Sequence, residues 1–337
     1  MTASGPYRWI YPTPKGLYCE PGNFYIDPAQ QVEHALITHG HSDHARPGHG
    51  HVLTTRETGE IMKIRFGAEA AGRLSEATLG KTMAVNDVKV RFAPAGHILG
   101  SAQIAIEHKG CCAVISGDYK RTADPTCLPF ETMKCDLFIT EATFGLPVFC
   151  HEPPDKEVAR LLGSLAANPD RVHLLGVYGL GKCQRMIVML RKAGYDAPIF
   201  LHGALVGLCS LYERLGVNLG DLQPVREREP KRYQGALVMC PPSAIADRWA
   251  RRFGDALSCF ASGWMRVRGR ARQRGAELPL VISDHADWPE LLDTIQETQA
   301  SEVWVTHGRE DALVHQLGLM GLKARALALV GFEDEDD

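Results

Sequence analysis

The sequence lacks the features that define several large protein classes. It has no run of about 18 apolar residues of the kind that spans a membrane. Its first residues lack the charged and apolar regions of a secretory signal peptide. Its ten cysteines include no CxxC pair, so we expect reduced thiols in a cytoplasmic protein without a membrane partner. The net charge is only −3 and by itself indicates no nucleic-acid partner.

Apolar residues, in contrast, are plentiful. At 337 residues and 45% hydrophobic content, the chain predicts one large or two modest domains with a substantial core. From about residue 150, strand and helix patterns alternate, which predicts a separate parallel α/β unit. Local patterns further predict helices over 56–66 and 68–77, and a solvated glycine-rich loop that carries His49 and His51.

The most informative stretch is residues 38–44, Thr-His-Gly-His-Ser-Asp-His. Within six residues it offers three imidazoles and one carboxylate, which are ligand types that borderline divalent metals prefer. It follows an apolar run, residues 35–37, that predicts a buried strand. Gly40 lets the backbone turn sharply. The stretch therefore predicts a metal-binding loop at a strand end.

Candidate side chains from several parts of the chain, the signature stretch included, lie at or beside predicted strand ends. They are His39, His97, Asp118, Glu141, His285 and His307. Because loops held by a rigid sheet are where sites are usually built, we expect these residues to share one site.

With these residues the chain resembles the β-CASP branch of the metallo-β-lactamase-fold hydrolases, whose known members are nucleases. The loop His39-x-His41-x-Asp43-His44 matches the family signature. The other matches, in chain order, are Asp27 to the early aspartate, His97 and Asp118 to the third and fourth metal motifs, and Glu141, His285 and His307 to motifs A, B and C. The resemblance covers about residues 20–310, and the stretch 262–269 is similar to the bacterial ligase-associated DNA exonucleases.

The resemblance implies an α/β fold with a cap. Residues 1–145 and 281–330 would form a four-layer αβ/βα sandwich, and residues 146–280 an inserted β-CASP cap. Residues 331–337 would be an acidic tail.

The resemblance also implies a two-metal phosphodiester hydrolase. It assigns His39, His41, His97 and Asp118 to one ion, and Asp43, His44, Asp118 and His307 to the other. Zinc is the first expectation, and manganese or iron would accept the same ligands. A hydroxide between the metals would attack phosphorus, with Asp43, Glu141 and His285 as catalytic residues. His285 would be the general acid, held by Glu141, while Asp27 would orient the signature loop.

The implied substrate is nucleic acid, DNA rather than RNA, and the implied role is exonucleolytic DNA repair alongside a DNA ligase and helicase. Eight arginines between 248 and 274 could pair with phosphates, and a tryptophan, Trp264 or Trp249, could stack on a base. The proposed contacts are Trp264, Arg266, Arg268 and Arg270.

Three alternatives stay open. Motif C is a histidine, as in the RNA-processing β-CASP enzymes, so an RNA-processing nuclease is the main alternative. A small-substrate metallo-hydrolase would not need the long cap, and a metal-holding binding protein would not need the full ligand set. The stretch 176–183 resembles the phosphate-binding P-loop of nucleotide hydrolases but ends in Cys183. Cysteine lacks the hydroxyl that Mg²⁺ requires there, so the sequence disfavours nucleotide hydrolysis.

Overall fold

The computed structural model describes residues 8–226 and 230–327. The predicted acidic tail, 331–337, lies outside these residues. The described chain is a mixed α/β protein that divides into two compact units, residues 8–150 with 285–327, and residues 151–284. In this part of the chain, none of the helices combines the length and apolar character needed to cross a bilayer.

The first unit contains two sheets and three helices within the described residues. Its strands are β1 (Ile10–Thr13), β2 (Gly16–Cys19), β3 (Phe24–Ile26), β4 (His34–Leu36), β5 (His49–Thr54), β6 (Ala71–Glu76), β7 (Thr82–Val85), β8 (Val88–Pro94), β9 (Ala102–His108), β10 (Cys111–Ile115), β11 (Leu137–Ala142), β18 (Glu302–Gly308) and β19 (Lys323–Ala326). Its helices are α1 (Arg56–Phe66), α7 (Trp288–Thr298) and α8 (Glu310–Leu319).

The second unit contains one sheet and five helices within the described residues. Its strands are β12 (His173–Gly176), β13 (Ile199–Leu201), β14 (Leu222–Pro224), β15 (Leu237–Cys240), β16 (Leu257–Ala261) and β17 (Leu278–Leu280). Its helices are α2 (Pro154–Ala167), α3 (Lys182–Lys192), α4 (Gly203–Arg214), α5 (Pro242–Ala246) and α6 (Arg268–Gln273). The strand order is β14-β13-β15-β12-β16-β17, with every pairing parallel. This confirms the predicted parallel α/β unit.

The two sheets of the first unit share a buried core. Their strand orders are β1-β2-β3-β4-β5-β6 and β19-β18-β11-β10-β9-β8-β7. Leu36 of the first sheet and Leu137 of the second both belong to this core. Their chain neighbours Ile37 and Phe138 belong instead to two other clusters, which contain α1 and α7–α8 residues respectively. Since successive strand side chains point to opposite faces, each sheet packs against its partner on one face and against helices on the other.

One edge of the second sheet collects the ends of four strands. Strands β8, β9 and β10 are successively antiparallel, and β10, β11 and β18 are parallel. Strands β8, β10, β11 and β18 therefore run in the same direction and end at the same edge. His97 and Asp118 lie in the loops after β8 and β10, and Glu141 and His307 lie at the ends of β11 and β18.

Two local predictions were wrong in the region after the signature loop. Residues 68–77 form a short 3-10 turn and then β6, which pairs in parallel with β5. The hydrogen bonds of this ladder outweigh the local helix preference. His49 is a fully buried β5 residue whose Nδ1 accepts from the Val32 amide, so it is not solvated. The predicted cap of α7 by Asp287, with Pro289 in the first turn, is confirmed.

We expect Ile104→Ala to lower the free energy of unfolding by about 2–5 kcal/mol, because Ile104 is fully buried in the core between the sheets. Ile64→Ala is the matched control, since Ile64 is 39% exposed and its change should stay within about 0.5 kcal/mol. Urea unfolding followed by tryptophan fluorescence measures both. Equal losses for the two variants would contradict the core assignment.

Candidate metal centre

The signature loop is held by a buried aspartate at the end of the neighbouring strand. Asp27 follows β3, which pairs in parallel with β4, the strand that leads into the loop. Its carboxylate accepts from the Thr38 amide (2.8 Å) and hydroxyl (2.6 Å), and lies 2.8 Å from His44 Nδ1. Asp27 adopts a left-handed φ of 41°, which aspartate tolerates better than most residues. The loop therefore has a fixed starting point and a fixed His44 ring.

The histidines of this loop meet the loop that follows β10. Gly117, with φ 55°, makes the approach possible, because a Cβ there would lie 2.7 Å from Thr38 Oγ1. The next residue, Asp118, places Oδ2 at 3.2 Å from His39 Nε2 and 3.4 Å from His44 Nε2.

His97 and His41 complete this group. His97 Nε2 lies 3.7 Å from Asp118 Oδ2 and 3.0 Å from His41 Nδ1. The Ser101 hydroxyl accepts from the amides of His97 and Ile98, both at 3.1 Å, and so shapes the turn that presents His97. Four residues from three loops thus converge: His39, His41, His97 and Asp118.

A second group shares the same carboxylate. His44, Asp118 and His307 each offer a ligand atom within 4.8 Å of the others. Asp43 adds an oxygen 3.4 Å from His44 Nε2. His307, the second-last residue of β18, has a left-handed φ of 58°, a conformation uncommon for a residue with a side chain and often found at functional sites.

The spacing of these atoms fits divalent metal ions. A tetrahedral zinc site with bonds of about 2.0–2.1 Å has ligand atoms about 3.3 Å apart. The separations around Asp118 Oδ2 are 3.2, 3.4 and 3.7 Å. Among the residues that the structure describes, every group able to hold a metal includes Asp118, so the donor set is suited to ions that share this carboxylate.

Beside this cluster lies a buried histidine–carboxylate pair. His285 Nδ1 is 2.9 Å and 3.1 Å from the two oxygens of Glu141, which is fully buried. Glu141 Oε1 also accepts from the Tyr119 amide at 2.7 Å. Because a carboxylate can only accept here, Nδ1 carries the proton and Nε2 is the nitrogen that can exchange one. The pair and Asp118 have ligand atoms within 4.8 Å of one another.

Burial and neighbouring charges shift the pKa values of the histidines in the cluster. Burial, with the nearby charge of His44, lowers the pKa of His39 well below its usual value. Burial likewise lowers the pKa of His97, and that of His307 to about 4. For His44, burial opposes protonation, but Asp118 and Asp43 outweigh it and raise the pKa well above the usual value.

The pKa values of the two buried carboxylates, Asp118 and Glu141, are shifted in opposite directions. Burial would raise the pKa of Asp118, but His44 and His39 lower it well below its usual range. Burial raises the pKa of Glu141 despite the opposing effect of His285. Asp118 is therefore held ionised with mostly neutral imidazoles around it, which is the protonation state that metal ligands require.

Two supporting residues were missed in the sequence. Arg65 of α1 donates to the Gly40 carbonyl at 2.6 Å and so holds the middle of the signature loop. Lys120, two residues after Asp118, is buried against the His97 loop. In the sequence, Arg65 near the end of a helix and Lys120 near a ligand cannot be distinguished from ordinary surface charges.

In the second unit, the predicted substrate contacts differ in exposure. Arg266 and Arg268 are exposed. Trp264 is only 8% exposed, and the Arg270 guanidinium lies 3.9 Å from its ring centroid. This covering argues against base stacking by Trp264. The near-P-loop residue Lys182 is buried and ion-paired with Asp284 at 3.2 Å.

Comparison with known proteins adds an independent view. No protein-family model matches the chain. It is 28% identical over 324 residues to a protein of Opitutus terrae named "Probable DNA ligase", covering 95% of this chain and 31% of that one. It is 29% identical over 261 residues to endoribonuclease YSH1 of Eremothecium gossypii, with 62% of this chain and 33% of that one covered. With ribonuclease TTHA0252 of Thermus thermophilus it is 29% identical over 222 residues, covering 57% and 51%.

In sequence, the chain is therefore similar to two proteins named as ribonucleases and to one named as a probable DNA ligase. It spans about a third of the length of the first two curated relatives.

A crystal structure of an Enterococcus faecalis protein of unknown function superposes with a TM-score of 0.59 at 14% identity, over 89% of this chain and 80% of that one. This last likeness concerns the fold alone. The residues predicted to match motifs A, B and C, namely Glu141, His285 and His307, all belong to the groups that share Asp118.

We expect Asp27→Asn to weaken zinc binding about 10- to 100-fold, because the amide keeps one acceptor for Thr38 but cannot hold His44 Nδ1 as the carboxylate does. Competition with a chelating dye measures the affinity. Asp87→Asn, at an exposed position, is the control and should bind zinc like the parent protein. An unchanged affinity in Asp27→Asn would show that the loop needs no such support.

Proposed function

We propose that this chain is a metal-dependent nuclease that hydrolyses phosphodiester bonds. The observation that carries the proposal is the position of Asp118, whose carboxylate lies among His39, His44 and His97 and within 4.8 Å of the Glu141–His285 pair. A cluster of potential metal ligands with a buried proton donor beside it suits a reaction in which a nucleophile attacks and an oxygen leaves.

The residues divide into two ligand sets that share Asp118. One consists of His39, His41, His97 and Asp118, and the other of Asp43, His44, Asp118 and His307. Nitrogen and oxygen donors of this kind favour zinc, and also accept manganese or iron. Bound divalent ions would supply an attacking hydroxide at neutral pH and neutralise charge on the phosphoryl oxygens.

His285 then acts as the general acid. Its Nδ1–H donates to Glu141, which fixes the tautomer and the orientation of the ring. The proton on Nε2 passes to the oxygen that leaves phosphorus, so that this oxygen departs as a neutral hydroxyl. Glu141 also accepts from the Tyr119 amide and thereby connects the loop that carries Asp118 to the general acid.

For the substrate, we propose DNA, processed by an exonuclease that acts in repair together with a DNA ligase and helicase. The similarity to the protein named "Probable DNA ligase" over 95% of this chain supports this choice. RNA processing is the second candidate, supported by the similarity to YSH1 and TTHA0252. We further propose that the first unit is the αβ/βα sandwich and residues 151–284 the β-CASP cap.

We expect the zinc-loaded protein to shorten end-labelled single-stranded DNA, which a gel of the products shows directly. The variant His285→Ala should keep its metal content, but its rate of cleavage should fall about 10²- to 10⁴-fold, since only the proton donor is removed. Asp118→Ala should lose both metal and activity, because both ligand sets depend on it. His315→Ala, at an exposed position, is the control and should change neither.

A substrate with a good leaving group isolates the role of His285. The p-nitrophenyl ester of thymidine 5′-phosphate releases an anion that needs no proton, so His285→Ala should hydrolyse it nearly as fast as the parent protein. If His285→Ala cleaves DNA at the parent rate, the acid assignment is wrong. Cleavage of RNA but not DNA would select the second candidate, and cleavage of neither with zinc, manganese or iron would refute the nuclease proposal.

We also expect the arginines of the second unit to contribute phosphate contacts. Six of the eight arginines between 248 and 274 are exposed. Replacing Arg266 and Arg268 with alanine should reduce the slope of log affinity against log salt by about 1.4 for single-stranded DNA. Fluorescence anisotropy at several salt concentrations measures the slope. Arg214→Ala, exposed on α4, is the control, and an unchanged slope in the double variant would remove these contacts from the proposal.

A further inference from the structure

A buried lysine beside the metal cluster has no role in the chemistry above. Lys120 is 1% exposed, although lysine is rarely buried unless it is paired. It comes two residues after Asp118, in the loop that carries the shared carboxylate.

The ammonium group of Lys120 links two loops. Its Nζ donates to the backbone carbonyl of His97 at 3.2 Å and pairs with Asp124 at 2.6 Å. The Asp124 side chain is 3% exposed, and its other oxygen accepts from the Thr126 amide and hydroxyl at 2.8 and 2.6 Å. The ion pair is thus anchored within its own loop, while the bond from Lys120 Nζ to the His97 carbonyl reaches a residue of the proposed ligand set.

The backbones of the same two loops are also in close contact. The Lys120 amide donates to the Ala95 carbonyl at 3.1 Å. Gly96, with φ 73°, lies so near that a Cβ there would be 2.4 Å from the Lys120 carbonyl oxygen. Lys120 therefore meets the 95–97 segment with its amide, its carbonyl and its side chain.

We propose that Lys120 is a positioning residue that sets the distance between His97 and Asp118, and hence the affinity of the ligand set that contains both. This inference rests on the metal sites of the proposed function. Asp124 balances the lysine charge, so the pair can lie near divalent cations without repelling them. His41 and His39 come from the signature loop, whereas His97 is the ligand of this set whose main chain Lys120 holds.

The proposal predicts a selective effect on metal binding. His97 belongs to only one of the two ligand sets, so loss of the Lys120 contact should weaken one ion about 10- to 100-fold and spare the other. A general loss of stability would instead weaken both ions together.

The test uses the full chain and two variants. Lys120→Met/Asp124→Asn removes the contact to His97 and replaces a neutral pair by another neutral pair, so charge is unchanged. Asp124→Asn alone keeps the ammonium and its contact with His97. Zinc per chain is measured during titration with a chelator, the cobalt(II) absorption spectrum reports the geometry of each site, and urea unfolding of the metal-free proteins reports stability.

In the double variant, we expect one zinc ion to leave at lower chelator concentration and the cobalt spectrum of that site to change, while Asp124→Asn keeps both ions. Parent-like binding of both ions by the double variant would overturn the proposal, as would an equal loss in Asp124→Asn. These outcomes do not depend on activity. A parent protein that binds two ions but cleaves no nucleic acid would refute the proposed nuclease and leave this inference standing.

Discussion

The arrangement of the first unit depends on one buried carboxylate. Asp118 lies 4% exposed among imidazoles from four separate segments of the chain. An ionised carboxylate in such a place is costly unless positive charge compensates it. Asp118 and Asp43 accordingly raise the pKa of His44 well above its usual value, although burial of the ring opposes this. Divalent ions would provide the compensating charge more completely, and the ligand geometry around Asp118 suits them.

The rest of the centre serves to bring groups to Asp118 and hold them there. Strands β8, β10, β11 and β18 end at one sheet edge and deliver His97, Asp118, Glu141 and His307. Backbone carbonyls and amides are held by side chains from outside the ligand set, as Asp27 does for Thr38 and Arg65 for Gly40. The loops of the centre are therefore held by hydrogen bonds to residues that are not themselves potential ligands.

Much of this could be predicted because it depends on local pattern. The signature loop concentrates its donors within residues 38–44, and apolar runs before Asp118, Glu141 and His307 indicate strands that end at polar residues. The parallel unit followed from alternating patterns. What failed depends on contacts distant in sequence. Residues 68–77 form a strand because β5 pairs with them, and His49 is buried because β5 is an interior strand of its sheet.

The supporting residues illustrate the same limit. Nothing near Lys120 or Arg65 in sequence reveals that their charged ends meet backbone carbonyls 23 and 25 residues away. The covering of Trp264 by Arg270 is equally invisible, since both residues also fit an exposed nucleic-acid surface. Composition identifies residues capable of a role, and only the packing decides which of them are accessible.

Strand β18 lies between β11 and β19, although residues 151–284 of another unit intervene in sequence. The ligand set of His39, His41, His97 and Asp118 is complete by residue 118, whereas His285 and His307 are added only after the second unit has been synthesised. During translation, β11 therefore cannot pair with β18 until residues 151–284 have been synthesised. Under the proposed function, the proton donor and the second ligand set would be added only afterwards, so an incomplete chain would lack the groups that cleavage requires.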